Sequence, residues 1–381
     1  MQEEPSAIRP QVLMLEGNFT FVQDWATAAG QVADVTLGVG IDIRFSDRRP
    51  GLSSGNRVTA PVVNIPRLHL RPSRVFAGVS AAHQAYAIDR AIQRIGKGAP
   101  SPICIHTHFY SNADGAILLK RRRGIPFVHT EHSSAIVDGQ VSASGRRRLF
   151  EVCREAAAVF AVSQPLADAM RDYGVDVDIR VAHNPVDLGL FASSPLEARF
   201  PIEGPVRLAT VGWLLPRKDH ESLLRAFAEL RQHIPGSTLD IVGAGPMLDP
   251  LRSLACSLDV TDRVSFHTTA NRSEVARILS ESHLYVHTSR AETFGVALVE
   301  AWASGMPVVT FDCGGISALA PEIGGQAVVE RSIPALVDAI VEEVELLSPE
   351  RSREIRVQAQ QRFDSAELVK ELDVVYRRAC S

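Results

Sequence analysis

The chain has 381 residues, room for two domains of ordinary size at roughly 100–200 residues each. A hydrophobic content of 45% and a charged content of 22% are those of a globular protein, and a net charge of −4 excludes a global basic field that would draw it to nucleic acid. Cys104, Cys153, Cys256, Cys313 and Cys380 are dispersed and form no C-x-x-C pair, which excludes a disulfide framework or a structural zinc site. Lysine is confined to Lys97, Lys120, Lys218 and Lys370, with arginine at most other cationic positions, the usage of a GC-rich bacterial genome. The N-terminus carries no apolar signal-like stretch, and no run of about 18 apolar residues occurs, so a cytoplasmic location without a transmembrane segment is expected.

Short apolar runs alternate with amphipathic stretches. Strands are predicted at Val12–Leu15, Ile103–His106, Phe127–Thr130 and Val159–Val162, and helices over Asp114–Arg122, Arg148–Ala157 and Pro165–Asp172, with Ser163 and Pro165 as start signals. Phe191–Pro205 holds three prolines, two serines and no clear period, and reads as a linker. Alternation then resumes. Strands are predicted at Val206–Val211, Leu239–Val242, Val264–His267, Leu284–His287 and Pro307–Phe311. Helices are predicted at His220–His233, Met247–Ser257, Glu274–Ser280 and Val296–Ser304, and two more close the chain near Pro334–Leu347 and Ser365–Arg378. The fold class is therefore α/β, with two Rossmann-like domains facing across a cleft. Their expected bounds are 1–190 and 206–364, joined by a linker at 191–205. A C-terminal helix over 365–381 is placed as crossing back to the first domain.

The stretch Ser289-Arg290-Ala291-Glu292-Thr293-Phe294-Gly295-Val296 precedes the Val296–Ser304 helix. Gly295 lets a ligand approach the backbone, and the first amides of the helix, at Gly295, Val296 and Ala297, suit a phosphate. Glu292 and Glu300 have the paired acceptor oxygens that bind vicinal hydroxyls. Spaced by seven residues around Phe-Gly, they resemble the E-x7-E signature of family 4 glycosyltransferases, and "SRAETFGVALVEAWASGMPVV" resembles that family nearly residue by residue. The likeness extends over Val206 to about Ala320 and more weakly back to His106. It implies the GT-B fold, a retaining transfer from a nucleotide-diphosphate sugar, Glu292 on the donor sugar, and Glu300 on the ribose. Thr293, Phe294, Gly295 and Val296 then border the donor.

Lys218 lies in Gly212-Trp213-Leu214-Leu215-Pro216-Arg217-Lys218-Asp219, where the family pattern is Gly-Arg-Leu-x-x-x-Lys-Gly. It fits the lysine that grips the diphosphate. Trp213 stands where the arginine is usual and could stack on a base or sugar. Arg217 is the candidate substitute cation, and Asp219 stands where glycine is usual. Gly243 and Gly245 form the turn that borders the nucleotide in the family, with the backbone of His267–Asn271 beside it. Gly314-Gly315 resembles another donor loop, with Ser317 replacing its usual acidic residue. In the first half, "PFVHTEHSS" resembles the family strand whose terminal histidine faces the donor sugar, so His132 joins Lys218 and Glu292 as catalytic candidates. His108 resembles a position near the acceptor, and Gly17 keeps one glycine of the family's usual pair. The basic run Lys120–Arg123 is read as the C-terminus of a helix capped by Gly124.

No cofactor or metal is expected beyond a donor carrying UDP or GDP. The expected acceptor is a small molecule or natural-product intermediate, with peripheral membrane contact not expected and the oligomeric state left open. Three other readings stay open. They are a silent nucleotide-sugar-binding protein, a nucleotide-sugar epimerase of the same fold, and a zinc hydrolase using the histidines.

Overall fold

The computed structural model describes residues 9–15, 20–43, 62–68, 74–95, 103–200, 202 and 204–381. The chain divides into two compact units. One comprises the described residues up to Pro185 together with Ser365–Ser381, and the other runs from Val186 to Asp364.

The first unit contains β1 (Gln11–Leu15), α1 (Thr20–Ala29), β2 (Asp34–Ile43), β3 (Val62–Leu68), α2 (Arg74–Ile95), β4 (Ile103–His108), α3 (Asp114–Arg123), β5 (Phe127–Glu131), α4 (Ser134–Val137), α5 (Ala143–Glu155), β6 (Ala158–Ala161), α6 (Gln164–Asp172) and β7 (Ile179–Val181). Among the described residues its sheet is seven-stranded, in the order β3-β2-β1-β4-β5-β6-β7, and every pairing is parallel. Helices cover both faces of such a sheet, so strands such as β1 (QVLML) and β6 (AVFA) read as apolar runs rather than as alternation. Leu13, Ile88, Ile105, Phe127 and Val152 meet in the core. Ser163 caps α6 by accepting a hydrogen bond from the Leu166 amide at 3.3 Å, the start signal that the sequence carries. Lys120, Arg121 and Arg123 at the end of α3 pair with Glu155, Glu151 and Asp89, and Gly124 closes the helix at φ 68°. The basic run is thus a locally neutralised helix C-terminus.

The second unit contains α7 (Leu188–Phe191), β8 (Arg207–Val211), α8 (His220–Leu230), β9 (Thr238–Val242), α9 (Leu248–Ser257), β10 (Val264–His267), α10 (Arg272–Glu281), β11 (Leu284–His287), α11 (Val296–Ala303), β12 (Val308–Phe311), α12 (Ala320–Ile323), β13 (Gly325–Val328), α13 (Ile333–Glu345) and α14 (Pro349–Phe363). Its sheet, again parallel throughout, has the order β10-β9-β8-β11-β12-β13. The core gathers Leu208, Phe227, Ile241, Val286 and Leu336.

Two expectations change. The segment read as a linker is folded onto the second unit. Phe191 and Leu196 are buried, and Arg199 donates from Nη1 to the Ser282 carbonyl at 3.0 Å and from Nη2 to that of Ser304. Its three prolines and two serines break any clear period, but these three side chains anchor it. The chain ends in three helices rather than two, because α14 precedes α15 (Ala366–Cys380). The α14 sequence is largely charged, with an apolar stripe reduced to Ile355, Ala359 and Phe363. The last helix, α15, belongs to the first unit, where the Tyr376 hydroxyl lies 2.7 Å from His106 Nδ1 and Glu371 pairs with Arg180 at 3.2 Å.

Candidate functional site

In the second sheet the strand order reverses between β8 and β11, and the loops leaving those strands diverge around a crevice at their carboxyl ends. The β8 loop delivers Lys218 on a short 3-10 turn, Pro216–Lys218, and the β11 loop delivers Glu292. The two side chains meet in a direct ion pair. His287, the last residue of β11, places Nε2 at 2.9 Å from the same Glu292 oxygen. Burial pushes His287 below its ordinary value, so the imidazole is neutral and donates its Nε2–H to the carboxylate. For Glu292, burial pushes the carboxyl up, but the Lys218 ammonium and the His287 hydrogen bond outweigh it and hold the group well below the usual range. Glu292 is therefore a fixed carboxylate held in a nearly water-free corner.

Gly295 starts α11 at φ 101°, a left-handed conformation that favours glycine. The first bond inside the helix runs from the Leu298 amide to the Gly295 carbonyl at 2.9 Å, so the amides of Val296 and Ala297 have no carbonyl within the helix to reach. The loop is braced from behind. The Glu292 amide bonds the Cys313 carbonyl at 2.8 Å, and the Ile316 amide bonds that of Phe294 at 3.0 Å. Gly315 makes this possible, since a Cβ there would stand 2.6 Å from the Phe294 carbonyl oxygen. Ser317 accepts from the Cys313 amide at 3.2 Å and donates to Asp312, so it serves that turn. Thr293 and Phe294 span the gap between Glu292 and the helix, with Phe294 buried. Glu300 lies inside α11 and is buried on the side near Tyr285, whose hydroxyl both accepts from the Val211 amide and lies 3.1 Å from its carbonyl.

Gly243 and Gly245 are needed for a close backbone approach. A Cβ on Gly243 would lie 1.9 Å from the Gly212 carbonyl oxygen, and one on Gly245 would lie 2.4 Å from that of Leu214. The bare turn lets the Leu214 amide bond the Ala244 carbonyl at 2.9 Å, zipping the loop of Lys218 onto the turn after β9. Next to it, the His267 carbonyl accepts from Gly243 and its ring pairs with Asp240 at 2.7 Å, while Asn271 is the N-cap of α10 in a capping box with Glu274. Trp213 points outward and is 68% exposed. Arg217 lines a cavity with His220, Met247 and Leu251, a set that includes neither Lys218 nor Glu292.

Two residues escaped the sequence reading. Arg331, just after β13, donates to the carbonyls of Ser289 at 3.1 Å and Thr288 at 2.9 Å, pairs with Asp219 at 3.4 Å and lies 4.4 Å over the Phe311 ring. It thereby ties the Lys218 loop to the Glu292 loop. His287 was legible only as a strand end, and nothing in its spacing announces its carboxylate.

In the first unit the four histidines are all buried at the ends of β4 and β5. The His108 ring contacts those of His106 and His132, while His129, out of phase on β5, bonds Thr107 and Glu131 instead. His108 Nδ1 lies 2.8 Å from His132 Nε2, His106 Nε2 2.8 Å from the Thr130 hydroxyl, and His129 Nδ1 2.9 Å from that of Thr107. Trp25 packs edge-on against His106, His108 and His132. Burial, reinforced by the neighbouring imidazoles, holds His106, His108 and His132 far below their ordinary value, so all three are neutral. Glu131 accepts from the amides of Tyr110, His132 and Ser133, which fixes the turn carrying His132. His132 is only 6% exposed and is held by its bond to His108. Among the described residues no three His, Cys, Asp or Glu side chains are grouped to hold a metal ion. Gly17 lies outside the described residues.

Residues 197–362 match the family described as glycosyl transferases group 1, and residues 38–190 match glycosyltransferase family 4. A D-inositol 3-phosphate glycosyltransferase of Mycolicibacterium smegmatis is 31% identical over 305 residues, covering 73% of this chain and 67% of that protein. The chain belongs to the family 4 glycosyltransferases. Another such glycosyltransferase, from Segniliparus rotundus, is 28% identical over 80% of this chain and 70% of its own length. The match to the one from Mycobacteroides abscessus, 30% identical over 62% of this chain, spans 57% of that relative's length. Among solved structures, sucrose-phosphate synthase from Thermosynechococcus elongatus aligns with TM-score 0.75 at 20% identity, covering 97% of this chain and 98% of that one. Anabaena HepE in complex with UDP and glucose aligns with TM-score 0.72, also at 20% identity and the same coverage. These structures share the GT-B fold. Among the described residues no helix is long and apolar enough to cross a membrane.

Proposed function

We propose that this glycosyltransferase takes a sugar from a nucleotide diphosphate and passes it, with retention and without a metal, to a small polyol or natural-product acceptor. The observation that carries this reading is the meeting of Lys218, Glu292 and the open N-terminus of α11 in one corner. A diphosphate placed there would take the Lys218 ammonium from Glu292 and receive the α11 amides, leaving Glu292 to accept from sugar hydroxyls. Glu300 would hold the ribose, the Gly243–Gly245 turn would flank the nucleotide, and Trp213 would stack on an exposed ring. The bond from the anomeric carbon to the leaving phosphate breaks while the acceptor oxygen adds on the same face. The acceptor proton passes to the departing phosphate. Preorganised dipoles stabilise the charge that develops.

The acceptor named for the inositol phosphate relatives makes a phosphorylated inositol the first compound to try, and the UDP complexes of HepE make UDP the first nucleotide. The test is incubation of the purified chain with UDP- and GDP-sugars, following sugar transfer or donor hydrolysis. Activity that persists in EDTA and vanishes in Lys218→Ala and Glu292→Ala supports the reading. Undiminished turnover in a folded Lys218→Ala protein defeats it. A second reading, binding without turnover, is favoured by the exposed Trp213 at the position of an expected arginine. It predicts nucleotide binding with no product from any donor.

A further inference from the structure

We propose that the second unit holds a further site, at the N-terminus of α8, for a small oxyanion: a phosphate or carboxylate on a short carbon skeleton. The site goes beyond the proposed sugar transfer and does not depend on it. A cavity of about 290 Å³ opens there, lined by Leu215, Pro216, Met247 and Leu251 on its apolar side and by Arg217, His220 and Arg290 on its polar side. That is at the lower edge of the roughly 300–1,000 Å³ that holds a drug-sized ligand, and too small for a nucleotide sugar.

Two buried polar atoms in its wall have no hydrogen-bond partner, Arg217 Nη1 and His220 Nδ1. Buried donors left open are uncommon, and a guanidinium can only donate, so the missing partner of Arg217 is an acceptor and not a cation. His220 is 5% exposed and burial lowers it to about 4, so its ring is neutral and can meet an oxyanion without carrying charge. The helix supplies the third element. Asp219 sits at the N-cap of the eleven-residue α8 yet makes no side-chain cap bond, because its carboxylate is engaged by Arg290 at 3.3 Å and Arg331 at 3.4 Å. The first α8 amides are thus uncapped beside the cavity. Of the two carboxylates in the lining, Asp219 is neutralised by that pairing and Glu221 is exposed and screened by solvent.

The test is calorimetric titration of the full chain with inorganic phosphate, and in a separate arm with succinate, at constant ionic strength. Saturable binding of at least one anion is expected. It should weaken at least ten-fold in Arg217→Gln and in the cavity-filling Met247→Trp and persist in Lys218→Met, with circular dichroism confirming that each variant is folded. His220→Asn replaces Met247→Trp if the latter does not fold. Binding of phosphate alone assigns a phosphate ester, binding of succinate alone assigns a carboxylate, and either supports the site. The proposal is overturned if neither anion saturates, if the cavity variants bind as wild type, or if binding is lost only in Lys218→Met.

Discussion

Lys218 and Glu292, 74 residues apart in sequence, are each other's counter-ion. The pair is nearly buried, so removing one member strands the other. Breaking such a pair costs about 3 kcal/mol or more. Lys218→Met should therefore lower unfolding stability by about that amount in urea, even without any ligand. The double variant Lys218→Met/Glu292→Gln should recover part of the loss, since it leaves no stranded charge. Additive losses in the double-mutant cycle would show that the ion pair does not couple them.

Glycine is required where two backbones touch. Gly243→Ala would thrust a Cβ to 1.9 Å from the Gly212 carbonyl, and Gly243 also has φ +147°. It should destabilise the second unit by several kcal/mol, on the order of 3 or more, and weaken nucleotide binding along with it. Gly212→Ala is the control, because its new methyl would find nothing closer than Lys218 Cε at 3.9 Å. Equal thermal shifts in the two variants would contradict this.

Arg331 satisfies two loop carbonyls and one carboxylate at once. Arg331→Met leaves the Thr288 and Ser289 carbonyls short of a donor, at about 1–3 kcal/mol for a buried group. The expected kinetic effect is a raised KM for the donor, with kcat less affected, because the two loops are positioned by it rather than chemically assisted. Arg331→Lys keeps one charge but cannot bridge both carbonyls, and should restore little.

Acid should unfold the protein through its buried imidazoles. His106 is lowered to about 3 and His220 to about 4, from an ordinary 6.5. A group with a depressed folded pKa takes up its proton more readily when unfolded. The stability it holds is complete above 6.5 and is lost as pH falls from there towards 4 and then 3, a few kcal/mol on the order of magnitude for each. The urea midpoint should therefore drop between pH 6.5 and 4, and His220→Gln should flatten that slope. Glu292 adds to the loss once pH falls below its ordinary 4.5, because the unfolded carboxyl takes up a proton there while the folded one stays ionised.

The strand-helix alternation was legible wherever a strand is buried on both faces. Phe127–Thr130 was read one residue short, and Leu284–His287 matches β11. The strands not read include the short β7, of three residues, and β13, a half-buried Gly-Gln-Ala-Val at the sheet edge, but also the longer β2 and β3, whose runs are interrupted by Gly38, Gly40 and Pro66. At the site, each half of the Lys218–Glu292 pair was visible from its own motif, but the bond between them is made only by strand order. Arg331 carries no motif at all, and its role comes from lying one loop away from Asp219 in space. His108 and His132 were named separately, and only the register of β4 against β5 reveals that their rings share a hydrogen bond.

Because the last helix returns to the first unit, the polypeptide cannot be halved by one cut. A fragment ended after Pro185 would lack Tyr376, and His106 would lose the phenol that now meets its Nδ1. Anyone wishing to examine the histidine network by itself must graft Ser365–Ser381 back on through an artificial connection. Gene fusions or domain exchanges within this family should follow the same rule, moving the tail together with the half of the molecule that begins the chain.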